Sequence, residues 1–156
     1  FLLDGAVVEP AVPVVLPPRQ QRGDRPDQLD FADWLTRSDN PLTARVTVDR
    51  FWQRFFGLGI VETENDFGTQ GIPPRHPELL DWLASEFIRL DWGIKNIHRI
   101  IVLSATYCQS SRVSKELLER DPRNELLARQ SRIRLEAEAV RDEALGASGL
   151  LSTRLA

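Results

Sequence analysis

The stretch "PELLDWLASEFIRLDWGIKNIHRIIVLSAT", Pro77 to Thr106, decides the fold class. Its apolar residues recur at intervals of three and four, which predicts two consecutive helices joined by the turn "DWG". Pro77 suits the first position of the earlier helix, which we expect to end near Leu90. The later helix, from about Ile94 to Thr106, is apolar around most of its circumference. We therefore expect it to be the central, most buried helix.

The preceding sequence predicts two further helices. Asp27 can cap a short helix that ends near Arg37, because its carboxylate can accept the free amides of the first turn. The stretch "NPLTARVTVDRFWQRFFG" predicts a longer helix. Asn40 is its expected cap, Pro41 its first residue and Gly57 its C-terminal stop, since each residue type is favoured at that position.

The sequence after position 106 predicts two more helices. "SSRVSKELLERDP" is a polar turn with a short helix that we expect to end before Pro122. From Asn124 to about Ala147, apolar residues at helical spacing predict one long amphipathic helix. Its apolar seam consists of Leu126, Ile133, Ala137, Val140 and Ala144. No clear alternating strand pattern occurs, so we predict an all-α protein, a compact bundle of about five to six helices.

The N-terminal residues 1–26 differ in composition from the rest. They contain five of the ten prolines in the chain, which rules out a regular helix there and favours extended backbone. Their valines and leucines are too numerous for a solvated linker. We therefore predict an extended Pro-rich arm, or inter-domain linker, that lies across the surface of this domain or of a neighbour. Residues 27–156 are the predicted helical domain.

Composition excludes several classes of protein. The net charge of −3 offers no basic surface for nucleic acid and no polybasic membrane patch. No segment reaches the roughly 18 apolar residues that span a bilayer. The single cysteine, Cys108, excludes a disulfide within the chain and a multi-cysteine metal site, and the heme-attachment pattern Cys-x-x-Cys-His is absent. The start resembles no signal peptide, and with no methionine at position 1 we expect a piece of a longer protein.

The loop before the third predicted helix, "NDFGTQGIPPRHPELLDWL" (65–83), allows two interpretations. In the first it is a reactive or ligand-binding loop, with His76 as a proton shuttle because its reference pKa lies near neutrality. The side chains that would converge on a ligand are Asp66, Gln70, Arg75, His76 and Glu78.

In the second interpretation the same loop is a rigid corner. Gly68 and Gly71 permit turns, and the prolines stiffen the path. His76, restricted to extended geometry by the proline after it, then occupies the cap position of the helix. Glu78 and Asp81 follow near the positive end of the helix dipole. The sequence leaves both interpretations open.

Other polar residues suggest weaker sites. A metal would need three or four ligands from His76, His98, Asp66 and Glu78, but the chain has no His-x-x-x-His or Glu-x-x-His spacing, and we predict no metal site. His98 more often indicates a hydrogen-bonded core histidine.

The carboxylates of two predicted helices suggest further alternatives. Arg45 and Asp49 lie one turn apart and can pair, either lining a polar cleft or as an ordinary ion pair. Glu136, Glu138 and Asp142 could support glycoside hydrolysis or form a solvated salt-bridge face. No nucleophile elbow, P-loop or dinucleotide motif occurs.

Several long phrases together resemble one known family. They are "DNPLTARVTVDRFWQRFFGLGIVETENDFGTQGIPPRHPELLDWLASEF", "WGIKNIHRIIVLSATYCQSS", "DPRNELLARQSRIRLEAEAVRDEAL" and "SGLL". The match, over roughly residues 25–151, resembles the planctomycete-type domain of unknown function 1553. Members usually carry Asn at the position of Asp49, and they continue beyond "SGLL", which implies a domain truncated at its C-terminal end.

The resemblance implies a cellular setting more than a chemistry. Such domains stand at the C-terminal end of large secreted or periplasmic proteins, after another domain of unknown function and often a c-type cytochrome module. It therefore implies periplasmic or secreted localisation. It also implies no cofactor in this chain, with heme possible in a separate domain, and neighbouring domains of the same polypeptide as partners.

Our leading hypothesis is an uncharacterised, non-catalytic helical module, structural or partner-binding, of a larger exported protein associated with cytochrome-c-like domains. The alternative is a hydrolase acting on polysaccharide or another extracellular polymer. Its site would lie where the loop of residues 66–78 meets Arg45, Asp49 and His98. A third possibility, direct heme binding, has little support because the chain has no methionine and only two histidines.

Overall fold

The computed structural model describes residues 11–23 and 27–152. Across this part of the chain it contains six helices and no strand, which confirms the all-α class. The helices are α1 (Gln28–Thr36), α2 (Thr43–Phe56), α3 (Pro77–Arg89), α4 (Ile94–Val102), α5 (Lys115–Arg120) and α6 (Ala137–Ala147). The chain divides into two units, residues 1–108 and 109–156.

The first unit is organised around the pairing of α2 with α3, on which α1 and α4 also pack. Its core is mainly apolar and comes from these helices together with Ile60 and Val61, which follow α2. The completely or almost completely buried side chains include Val48, Leu83, Ile97 and Ile101. Burial of this apolar surface is the main stabilising contribution to the unit.

Three of the predicted helix ends are confirmed. Asp27 caps α1 by accepting the Asp30 amide at 2.8 Å, and the Asp30 carboxylate accepts the Asp27 amide in return. Gly57 ends α2 with a left-handed φ of 82°, a conformation that glycine adopts without steric cost. Pro77 is the first residue of α3, as expected.

The start of α2 differs from the prediction. The helix begins at Thr43, with Leu42 rather than Asn40 at the cap position. Asn40 is nevertheless buried, and its Oδ1 accepts the amides of Leu42 and Thr43. The side chain therefore supports a turn that precedes the helix, and Pro41 lies in this turn.

The proline-rich arm contacts α1 at its C-terminal part. The indole Nε1 of Trp34 donates to the Pro17 carbonyl at 2.6 Å, and Arg37 donates to the Pro18 carbonyl at 3.0 Å. Prolines lack an amide donor, so the carbonyls are the groups through which such a segment can be held. Val14 and Val15, in the turn before these prolines, are exposed. The rest of the predicted arm, 1–10 and 24–26, lies outside the described residues.

Helix α4 is neither as long nor as buried as predicted. It ends at Val102, and only Ile97 and Ile101 are buried, whereas Ile94 and Leu103 are exposed. The reason is that α4 packs against α2 and α3 with one face, which leaves the other isoleucines on its flanks. Apolar residues around most of a helix therefore did not indicate a central position here.

In the second unit α5 is confirmed, but the long helix predicted for 124–147 is wrong. Helix α5 is capped by Ser114, whose Oγ accepts the Leu117 amide, and it ends before Pro122. Residues 124–136 are irregular, and only Ala137–Ala147 is helical. Side-chain bonds to the backbone have replaced the helical ones: the Asp121 carboxylate accepts the amides of Glu125 and Leu126 at 2.8 and 2.9 Å.

The backbone dihedral angles of this segment also exclude a continuous helix. Asn124 and Leu127 both have a left-handed φ of 55°, which no α-helix contains. The predicted apolar seam is consequently not buried as a helix face. Leu126, Ile133 and Val140 are all exposed.

Candidate functional site

The first unit contains an open groove of about 480 Å³, which we call the α2–α3 groove. One wall is formed by Leu42 and Arg45 at the start of α2, and the opposite wall by Leu80 and Asp81 of α3. The remaining surface comes from Val61 and from the loop that connects the two helices, including Phe67, Ile72 and the prolines at 73, 74 and 77. The lining is therefore mainly apolar, with one cation and one carboxylate.

The connecting segment, residues 59–75, is named here the Gly59–Arg75 loop, and hydrogen bonds within it fix its shape. The Arg75 amide donates to the Ile60 carbonyl at 2.9 Å, which closes the loop at its two ends. Inside it, the Thr63 hydroxyl donates to the Asp66 carbonyl at 2.8 Å and accepts the Ile72 amide at 3.0 Å. These bonds consume backbone groups that would otherwise be available to a polar ligand.

Gly71 is required by this close packing of the loop. A Cβ atom at Gly71 would overlap the Asp66 carbonyl oxygen, and it would lie 2.9 Å from the Thr63 hydroxyl. The Asp66 carboxylate accepts the Gly68 amide at 2.9 Å. Asp66 thus stabilises a turn of the loop with both its backbone and its side chain.

Asp49 of α2 holds the beginning of the loop through a buried hydrogen bond. Its side chain is 0% exposed, and its Oδ1 accepts the Val61 amide at 2.8 Å. The other oxygen, Oδ2, is buried without a hydrogen-bond partner among the described residues. Burial raises the pKa of Asp49 above its ordinary value, against the opposing effect of the Val61 and Ile60 amides.

Gly59 allows the chain to pass close to this carboxylate. A Cβ atom there would lie 2.5 Å from the Val61 carbonyl oxygen and 2.8 Å from Asp49 Oδ2, both far inside van der Waals contact. The position of the Asp49 carboxyl group therefore requires glycine at position 59, and the backbone at Gly59 covers this buried group.

Arg45 pairs with α3 rather than with its own helix. Its Nε donates to Asp81 Oδ1 at 2.6 Å, and its Nη1 donates to the Pro41 carbonyl at 2.6 Å. The sequence-based expectation of an Arg45–Asp49 pair is not met, because Asp49 faces the buried amides that follow α2. The Arg45–Asp81 ion pair is partly exposed and forms the polar rim of the groove.

The residues of the predicted reactive loop lie outside the lining of the α2–α3 groove. None of the five side chains proposed to converge there lines the α2–α3 groove. Gln70 and Arg75 are exposed, and Glu78 lies exposed in the first turn of α3. His76 occupies the cap position of α3, as the rigid-corner interpretation expected, although its side chain makes no cap hydrogen bond.

His98 lies among aromatic residues of α2. Its ring meets Phe51 edge-on at a centroid distance of 4.7 Å and Phe55 at 5.2 Å. Tyr107 also contacts Phe55, so the histidine belongs to an aromatic cluster between α2 and α4. Of the eight residues predicted as site candidates, Arg45 is the one that lines the groove.

Sequence reasoning missed the residues that give the groove its character. Leu42, Phe67 and Ile72 are apolar, and a search for titratable side chains passes over them. The sequence did contain a signal for Ile72. This residue stands beside two prolines in a segment without helical periodicity, where an apolar residue is not expected to be part of the core. Asp81 was assigned to the helix dipole alone, yet it also holds Arg45.

The part of the chain that the structure describes has neither a metal-binding cluster nor a membrane-spanning helix. No group of three or more His, Cys, Asp or Glu side chains is arranged to hold a metal ion in residues 11–23 and 27–152. Over the same ranges, no helix has the length and apolar character needed to cross a membrane.

Comparison with known proteins identifies the family of the chain. The family model described as PSD1, a protein of unknown function (DUF1553), matches residues 27–156, which is most of the chain. No curated protein and no solved structure matches. The chain therefore belongs to the DUF1553 family of proteins of unknown function.

Proposed function

We propose that this chain is a non-catalytic, partner-binding module whose α2–α3 groove receives an apolar segment of a neighbouring domain of the same polypeptide. The observation that carries the proposal is the apolar lining of the groove beside a loop whose backbone groups bond to one another. Such a surface offers van der Waals contact rather than hydrogen bonds. Apolar side chains are its best ligands.

The dimensions of the groove agree with this function. Its volume of about 480 Å³ falls in the range of roughly 300–1,000 Å³ that is usual for binding pockets. Ile72 is 41% exposed, so a partner that covers it would remove further apolar surface from water. The loop is already closed by its internal bonds, which lowers the entropic cost of binding.

The resemblance supplies the proposed setting. In our proposal the module stands in a larger exported protein, periplasmic or secreted, in which a separate c-type cytochrome domain carries the heme. The complete coding sequence tests this setting directly. A signal peptide and a Cys-x-x-Cys-His motif upstream would support it, and their absence would contradict it.

Thiol labelling tests the groove itself. In a Cys108→Ser background, which removes the exposed native thiol, Ile72→Cys places a reporter on the groove. We expect it to react about tenfold more slowly in the full-length polypeptide than in this chain alone, because the partner segment covers it.

The matched control is Leu103→Cys, another exposed apolar position that does not line the groove. Its labelling rate should be the same in both proteins. Equal rates for Ile72→Cys in the two proteins would contradict the proposal, since an uncovered groove binds no neighbouring domain.

The hydrolase alternative has one observation in its favour. A general acid needs a raised pKa, and burial raises the pKa of Asp49. This carboxyl group, however, is completely buried behind Gly59 and bonded to the Val61 amide, so it does not reach an extracellular polymer such as a polysaccharide. The partner-binding function therefore remains the better supported proposal.

A further inference from the structure

The second unit contains a solvent-open pocket of about 250 Å³, which we call the Arg129 cavity. It is lined by Ser111 and Val113 on one side and by residues of the segment 122–132 on the other. Its volume is below the roughly 300 Å³ at which pockets for drug-sized ligands begin, and well above that of one water molecule. The cavity is therefore suited to a small ligand.

Arg129 is buried in this wall with part of its guanidinium unsatisfied. The residue is 8% exposed, and its Nη2 donates to the carbonyls of Asp121 and Pro122 at 2.9 and 3.0 Å. Its Nη1 is buried and has no hydrogen-bond partner among the described residues. A buried donor of a charged group without a partner destabilises the folded chain, so a ligand that accepts from it has a clear energetic role.

The neighbouring carboxylates do not satisfy this donor. Both oxygens of Asp121 accept backbone amides, those of Glu125 and Leu126. Glu125 lies 3.7 Å from the Arg123 guanidinium. The positive charge of Arg129 thus points to an anion from outside the chain.

Other lining groups can bind the same anion. Arg132 is exposed, and its Nε donates to the Ser111 hydroxyl at 3.3 Å. The hydroxyl of Ser131 also belongs to the lining. Guanidinium and hydroxyl groups are the donors that proteins commonly use for the oxygen atoms of phosphate.

Two unpaired acceptors complete the set. The side-chain oxygens of Asn124 and Gln130 are buried without partners among the described residues, and both residues line the cavity. The orientation of the Asn124 amide is fixed, because its Nδ2 donates at 2.8 Å to the Arg129 carbonyl, which can only accept. The ligand must therefore carry a donor as well as acceptors.

We propose that the Arg129 cavity binds a phosphate group that retains a proton. The anionic oxygens accept from Arg129 Nη1 and from Arg132, and the P–OH group donates to the Asn124 or Gln130 side-chain oxygen. Sulfate has the same shape but no proton to donate at neutral pH. The three unsatisfied atoms are shielded from solvent, so binding includes a small displacement of the lining side chains.

Isothermal titration calorimetry of the 156-residue chain tests the site. Inorganic phosphate should bind, and sulfate at the same ionic strength should bind at least about tenfold more weakly, because it cannot donate to the amide oxygens. A third titration with methyl phosphate distinguishes free phosphate from a phosphate ester. Tighter binding of the ester would identify a phosphorylated molecule as the source of the same group.

The decisive variant is Gln130→Glu. It preserves the size of the side chain but places a fixed carboxylate in the cavity, which pairs with Arg129 and repels phosphate. We expect phosphate binding to be lost while the chain without phosphate melts at the same or a higher temperature. Loss of binding without loss of stability separates a ligand site from a purely structural cavity.

Arg132→Gln and Arg134→Gln form the matched pair of controls. Both arginines are exposed, but Arg134 does not line the cavity. We expect Arg132→Gln to weaken phosphate binding about tenfold and Arg134→Gln to leave it unchanged. Absence of phosphate binding to the unaltered chain, equal binding of sulfate, or full binding by Gln130→Glu would each overturn the proposal.

Discussion

The Gly59–Arg75 loop and the segment Asp121–Arg132 are both irregular, yet they satisfy their polar groups in different ways. The loop closes on itself: Arg75 bonds to Ile60, and the Thr63 hydroxyl joins Asp66 to Ile72. The segment is held by buried side chains, and it leaves donor and acceptor atoms of Arg129, Asn124 and Gln130 without partners. A loop whose polar groups bond to one another presents an apolar surface. A segment with unpaired donors and acceptors can form hydrogen bonds to a ligand.

This difference explains why the two regions support different proposals. A neighbouring polypeptide can cover the groove through apolar contact, because backbone groups of the loop such as those of Asp66, Ile72 and Arg75 already bond within the chain. The Arg129 cavity, in contrast, has a defined set of unfilled donors and acceptors, so its ligand can be identified by chemistry. Three substitutions test whether the two regions are indeed held by different forces.

The largest effect should follow from Gly71→Ala. The added Cβ would overlap the Asp66 carbonyl oxygen, which is backbone and cannot move without opening the loop. We expect the free energy of unfolding to fall by about 3 kcal/mol, measured by urea denaturation. Gly23→Ala is the control, because no heavy atom lies within 4 Å of its new Cβ, and it should change stability by less than about 0.5 kcal/mol. Equal effects of both substitutions would show that the loop is not sterically fixed.

Asp121→Ala should have the next largest effect and act on the second region. It removes the acceptors of the Glu125 and Leu126 amides from a buried position. We expect the free energy of unfolding of this segment to fall by about 2 kcal/mol, measured as faster hydrogen exchange of these two amides. The exposed Asp142→Ala is the control and should leave their exchange unchanged. Unchanged exchange in Asp121→Ala would mean that another interaction holds the segment.

Asp49→Asn should have the smallest effect, with the opposite sign. The pKa of Asp49 is raised above 3.8 by burial, so the folded chain keeps this proton to a higher pH than the unfolded chain. The stability that depends on the proton is fully present below the unfolded pKa of about 3.9 and is lost as the pH rises through the folded pKa. Asparagine carries no charge, so we expect the Asp49→Asn substitution to stabilise the chain by about 1 kcal/mol at pH 7 and very little near pH 3.5.

The melting temperature measured from about pH 3.5 to pH 8 tests this effect, since the series begins below the unfolded pKa of about 3.9 and extends above it. Asp91→Asn is a matched control at an exposed position, where the left-handed φ of 52° suits either residue. It should show no such pH-dependent gain. Stability that is independent of pH in both variants and in the unaltered chain would argue against a raised pKa at Asp49.

The sequence predicted the fold best where a residue type has one dominant backbone preference. Asp27, Gly57 and Pro77 mark helix ends correctly, because capping, left-handed φ and the missing proline amide act locally. The helical period of residues 124–136 was misleading, because the buried side chains of Asp121 and Arg129 compete for the backbone there. That competition depends on tertiary burial and leaves no periodic signal.

The candidate sites were harder to predict for a related reason. The groove is assembled from two helices and a loop, and its lining is apolar side chains and backbone. The Arg129 cavity depends on which atoms lack partners, a property that no spacing of letters contains. His76, the most conspicuous residue of the sequence, occupies a helix cap instead.

Gly59 and Gly71 also bear on how this family should be compared across sequences. At both positions any side chain meets backbone oxygen at impossible distances, so substitutions there are eliminated by folding, whatever the protein does. Under that steric constraint, the sequence of the loop changes slowly even if the loop has no chemical role. Conservation of these glycines among relatives would therefore reflect the lack of space for a Cβ atom. Variation at Leu42 and Ile72, which line the groove, is the better indicator of a change of partner.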